Sequence, residues 1–142
     1  MTGVTVTLAE IREAPLSVDE VLRSVAAPRA GGICVFVGTV RDTDEGRGVI
    51  HLDYSAHPLA ASRTRELAER LDATGRTVRI AVVHRVGHLT VGDLAIVAAV
   101  SAEHRAEAFE VCRALVDELK ATVPIWKHQR FTDGLDEWVG LP

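Results

Sequence analysis

The 142-residue chain is 47% hydrophobic and 25% charged, with a formal net charge of -4. That length and apolar content suit one globular unit that buries most of the surface its unfolded form exposes. The acidic balance excludes the broad basic face that nucleic acid or a membrane surface requires. Met1 to Glu10 lacks the basic start and continuous apolar run of a signal peptide, and no apolar run approaches the roughly 20 residues that span a bilayer, so a cytoplasmic location is expected.

Val4-Thr-Val6-Thr-Leu8 alternates with period two and predicts a strand. Ser17-Val-Asp-Glu20 is a capping-box pattern ahead of Val18, Val21, Leu22 and Val25, which predicts a short helix. Gly32 to Val40 is apolar on both faces and β-branched, hence a buried strand; Ile50, Leu52 and Tyr54 mark its expected partner across the polar loop Arg41 to Gly48. From Pro58, residues Ala60, Thr64, Leu67, Ala68 and Leu71 recur at helical spacing until Gly75. Val78, Ile80 and Val82 predict a strand, Gly87 to Asp93 a connection, and Leu94 to Val100 a further apolar strand.

Ser101 is expected to cap a third helix, with Phe109, Cys112, Val116 and Leu119 as its apolar stripe. Pro124 must end that helix, and Ile125 to Phe131 is expected to be extended. This order of elements predicts an α+β sandwich, with three main helices against a mixed sheet.

Four cationic or potentially cationic side chains, His104, Arg105, Lys120 and Lys127, stand at the two ends of the predicted third helix and on the segment just beyond it. His104 and Arg105 fall in the first turn of the third helix, where free backbone N–H groups and the helix dipole favour an anion. Lys120 lies at the edge of the apolar stripe, where an amine can serve as acid, base or nucleophile, although taken alone it reads first as a charge favoured near a helix C-terminus. Lys127 lies beyond Pro124, so the chain must turn before it can stand beside Lys120. Arg41 ends the strand from Gly32 at a loop from which an arginine can reach a ligand, and Arg47 is a weaker candidate in the same loop.

His84 and His88 have H-x-x-x-H spacing but straddle Gly87 rather than lying on a helix, and no metal site or cofactor is expected. The two cysteines, Cys34 and Cys112, show no C-x-x-C spacing and are expected to be core residues.

Five segments in register carry a resemblance: Phe36-Val-Gly-Thr-Val-Arg41, Leu52-Asp-Tyr54, His84-Arg-Val-Gly-His-Leu-Thr-Val-Gly92-Asp93, Val100-Ser-Ala-Glu-His-Arg105 with Ala108-Phe109, and Leu119-Lys-Ala-Thr-Val-Pro-Ile-Trp-Lys127. Over roughly residues 30 to 139 the chain resembles the large, catalytic subunit of molybdopterin synthase. The resemblance implies an α/β hammerhead fold with a small additional β subdomain, the whole of 1–142 forming one such domain. It implies a sulfurtransferase of molybdenum cofactor biosynthesis, which places two sulfurs on cyclic pyranopterin monophosphate to form the dithiolene of molybdopterin. The sulfur would come from the C-terminal Gly-Gly thiocarboxylate of a small ubiquitin-like carrier subunit, and two carriers would flank a central homodimer in a heterotetramer.

On this resemblance Arg41, His104 and Arg105 match the substrate-anion residues, while Lys120 and Lys127 match the catalytic lysines and also meet substrate. The chain's own end, Val139-Gly-Leu-Pro142, is no Gly-Gly tail, so a separate sulfur donor is expected. The family usually carries Asn after the Arg41 position and a Lys-Lys-Glu-like run after Trp126, whereas this chain has Asp42 and Lys127-His128-Gln129. The competing readings are a non-catalytic anion-binding or assembly protein that kept the fold, and a metal-dependent hydrolase using His84 and His88.

Overall fold

A computed structural model describes residues 5–140; Val4, expected to open the first strand, and Leu141 and Pro142 lie outside the described residues. In chain order the elements are β1 (Val6–Arg12), α1 (Val18–Val25), β2 (Gly32–Thr39), β3 (Thr43–Asp44), β4 (Arg47–Ala56), α2 (Ala60–Asp72), β5 (Arg79–Arg85), β6 (Gly87–Thr90), β7 (Leu94–Ala102), α3 (Arg105–Thr122), β8 (Ile125–Phe131) and β9 (Asp136–Gly140).

The first sheet runs β1-β5-β7-β2, with β1 and β5 parallel and the other pairs antiparallel. Residues 80–83 of β5 and 94–100 of β7 are apolar without interruption because both faces of the inner strands are covered. Ile80, Val82, Ile96, Ala98 and Val100 pack against Leu67, Leu71, Val111, Leu115 and Leu119 of α2 and α3. The alternate residues Ala81, Val83, Val97 and Ala99 face Val21 and Val25 of α1. Each fully buried Val or Leu contributes about 1.5–3 kcal/mol, so this three-layer arrangement is the main source of stability.

The second sheet, of five strands, runs β3-β4-β8-β9, with β6 also paired to β4. Val40, Leu52, Leu89 and Ala95, with Tyr54 against them, form the joint between the two sheets. The mixed α+β architecture with a β subdomain agrees with the expectation.

Ser17 caps α1 as its spacing predicts, its Oγ accepting from the Glu20 backbone N–H at 3.1 Å. Other local expectations change. β4 pairs with β6 and β8, not with β2, because alternation marks a strand with one covered face without naming its partner. The connection expected over Gly87 to Asp93 contains β6.

Ser101 is not a helix cap. It stays within β7, where its hydroxyl accepts from the Arg79 backbone N–H at 3.1 Å, and α3 begins at Arg105 with His104 as cap residue. The buried side of α3 is formed by Ala108, Val111, Cys112, Leu115, Val116 and Leu119, while Phe109 is 63% exposed. β2 is an edge strand rather than a doubly covered one, and it exposes Ile33, Phe36 and Val37.

Candidate functional site

Pro124 organises the site. The residue before a proline is driven out of helical torsions, and Val123, at ψ 125°, closes α3. The chain then reverses into β8, antiparallel to β4, which sets Lys127 opposite Tyr54. Lys120, on the last turn of α3, and Lys127, on β8, thereby line the same two clefts.

One cleft, of about 350 Å³, is completed by Tyr54, His84 and the end of β9 at Val139 and Gly140. The other, of about 490 Å³, also takes in Arg41, Asp44, Gln129 and the Phe36 to Val40 stretch at the exposed edge of the first sheet. The convergence of Arg41 with both lysines is therefore present in one chain.

His84 is only 8% exposed, and its Nδ1 lies 2.7 Å from the Arg85 carbonyl oxygen. Burial pushes its pKa down to about 4; the bond to Arg85 opposes that shift and the Lys120 charge adds to it. At neutral pH the ring is uncharged. Since a carbonyl can only accept, Nδ1 carries the proton and Nε2 remains an acceptor beside the lysines. Tyr54 stands edge-on to this ring, centroids 4.9 Å apart, and burial holds its phenol above the ordinary value, so it stays protonated. The cleft thus offers two amines, a neutral base and a hydroxyl donor.

Arg41 is held by Asp44 at 3.5 Å, and Asp44 in turn accepts from the buried Gln129 amide at 2.7 Å. Gln129 supports the arginine loop through Asp44. Arg47 is engaged elsewhere, stacked 3.6 Å above the Phe131 ring and paired with Asp133 at 3.3 Å.

His104 and Arg105 lie at the opposite end of α3, which places Arg105 about 22 Å along the axis from Lys120 at 1.5 Å per residue. Both are exposed, and no side chain caps the helix start they occupy. Within one chain, then, His104 and Arg105 do not meet the lysines. Arg105 also shares its exposed flank with Phe109.

Both thiols belong to the main core, Cys112 buried and Cys34 packed against the same cluster, and burial together with Cys34 pushes the Cys112 thiol up to about 12. Cys112 is therefore no ready nucleophile or sulfur donor. His84 and His88 are separated by Gly87, at φ 97°, and do not act as a pair: His84 lines the lysine cleft, while His88 bonds Asp53 at 3.2 Å.

Sequence reasoning missed the roles of Tyr54, His84, Asp44 and Gln129. Their signal is strand register, visible only once β4 is known to lie beside β8.

Among the described residues no helix is long and apolar enough to cross a membrane. The family model described as MoaE protein matches residues 11–122. The molybdopterin synthase catalytic subunit 1 of Mycobacterium tuberculosis is 47% identical over 131 residues, covering 92% of this chain and 88% of that protein. The molybdopterin synthase catalytic subunit of Halalkalibacterium halodurans is 37% identical over 131 residues, covering 92% and 83%. The crystal structure of molybdopterin synthase from Staphylococcus aureus aligns with a TM-score of 0.85 and 29% identity, over 93% of this chain and 96% of that one. With the lysine clefts of the expected motifs in place, the chain belongs to the MoaE protein family, that of the molybdopterin synthase catalytic subunits.

Proposed function

We propose that this chain is the sulfur-transferring subunit of a molybdopterin synthase, joining the thiocarboxylate tail of a small carrier subunit to cyclic pyranopterin monophosphate in the clefts shared by Lys120 and Lys127. The observation that carries this reading is the meeting of the two lysines and Arg41 around connected clefts in an acidic protein. Both reactants are anions. Two unit negative charges about 4 Å apart repel by roughly 4 kcal/mol at an effective dielectric near 20, so the site must supply cations.

Lys120 serves the carrier's terminal carbonyl and proton transfer. Lys127 and Arg41 hold the pterin and its cyclic phosphate as that ring opens. The unprotonated imidazole of His84 is a hydrogen-bond acceptor at the same cleft and adds no positive charge against either lysine.

His104 and Arg105 join the site from a second copy. β2 supports this assembly: it is an edge strand with exposed Ile33, Phe36 and Val37. Its Gly32 end lies against the start of α3, where an added Cβ would sit 3.2 Å from Arg105 Cα, and its Val37 to Thr39 end borders the lysine cleft. Two β2 edges packed antiparallel about a two-fold axis would set Arg105 of each copy against the lysine cleft of the other. This dimer, with one carrier at each outer end, forms a cytoplasmic heterotetramer.

Reconstitution tests the function. Purified chain, thiocarboxylated carrier and cyclic pyranopterin monophosphate should yield dithiolene, and Lys120→Ala should lower the rate by about 10²–10³ while still folding and binding the carrier. Undiminished conversion by Lys120→Ala favours the anion-binding or assembly alternative.

A further inference from the structure

On β4, His51 and Asp53 alternate with Leu52 and Tyr54, so they occupy the face of the strand turned away from the lysine clefts. β6 pairs with this strand and sets His88 directly opposite Asp53. One ligating atom from each of His51, Asp53 and His88 lies within 4.8 Å of the other two. The two imidazole centroids are 4.7 Å apart, and His88 Nδ1 is 3.2 Å from the Asp53 carboxylate.

A second observation is independent of this proximity. His51 Nδ1 is the one buried side-chain polar atom, among the described residues, that has no hydrogen-bond partner. A buried polar atom left unpaired costs about 1–3 kcal/mol, so such atoms call for a partner. Two imidazoles and one carboxylate form a donor set for zinc and related divalent transition metals, with further positions open to water. A tetrahedral ion with bonds of about 2.0–2.2 Å needs donors about 3.4 Å apart, within reach of modest side-chain rotations from this arrangement. The nearby His128 is already engaged, 2.7 Å from Asp136 and stacked on Trp138.

We propose that His51, Asp53 and His88 form a surface site for one divalent transition-metal ion, zinc foremost, which ties β4 to β6 on the side opposite the sulfur-transfer clefts. The H-x-x-x-H spacing of His84 and His88 points to the wrong pair; the ladder gives His88 its partners. The proposal is independent of the catalytic reading.

Isothermal titration of the chelator-stripped chain with zinc chloride tests it. The expected result is uptake of one ion per chain, with affinity lowered roughly tenfold or more in both His88→Gln and Asp53→Asn and unchanged in His57→Ala, an exposed histidine outside the trio. Circular dichroism identifies any variant that has not folded, and either folded variant suffices for the comparison. No stoichiometric uptake, undiminished uptake in the folded variants, or an equal loss in His57→Ala would overturn the proposal.

Discussion

Gln129, 2% exposed on β8, donates its side-chain amide to Asp44 at 2.7 Å, and through Asp44 it steadies Arg41 at the mouth of the lysine cleft. A hydrogen bond to a charged partner contributes about 1.5–3 kcal/mol, whereas the exposed Arg41–Asp44 pair contributes at most about 1 kcal/mol. The amide therefore governs the loop. Gln129→Ala should cost about 2 kcal/mol in urea unfolding and raise KM for the pterin more than it lowers kcat. Gln129→Glu, which restores the residue type usual in the family, should be destabilising at pH 7 because its carboxylate would face Asp44, and less so near pH 4. Equal stability of Gln129→Glu and the parent at pH 7 would contradict this role.

His84 makes stability depend on pH in a defined window. Its folded pKa of about 4 lies below the ordinary 6.5, so the unfolded chain binds the extra proton between these values. The contribution is fully present above about pH 6.5 and is lost as pH falls toward 4. A shift of this size corresponds to at most roughly 3 kcal/mol. Urea unfolding at pH 7 and pH 4.5 should show a steeper loss for the parent than for His84→Asn. Parallel losses in the two proteins would show that His84 charges as readily in the folded state.

The two lysines should separate kinetically. Lys120→Ala should lower kcat at saturating carrier and pterin, whereas Lys127→Ala should chiefly raise KM for the pterin, with carrier affinity retained in both. Steady-state kinetics with each substrate varied in turn would reveal the division, and identical changes in both variants would refute it.

The features that local chemistry determines were legible in the chain. Ser17 and Pro124 act on their immediate neighbours, so the cap of α1 and the end of α3 could be read directly, and with the latter the need for a turn before Lys127. Features set by long-range pairing were not. Ser101 has the chemistry of a cap, but β7 continues through Ala102 because both residues are wholly buried between neighbouring strands. Helical phase alone places Phe109 in the core, and an apolar run alone makes Phe36 and Val37 doubly covered; all three are exposed in a single chain. His84 had the right position in the sequence and the wrong chemistry, since its surroundings depend on Tyr54 arriving from β4.

Each reaction site of the proposed dimer draws on two copies, lysines from one and His104 with Arg105 from the other. Mixing Lys120→Ala chains with Arg105→Ala chains tests it most directly. In the proposed dimer each variant alone would have two defective sites, but a mixed dimer would hold one site with every residue intact. Dithiolene formation should therefore reappear on mixing and exceed the sum of the separate preparations. If exchange of subunits is verified and the mixture remains as inactive as its components, the two residues act within the same chain and the shared site is wrong.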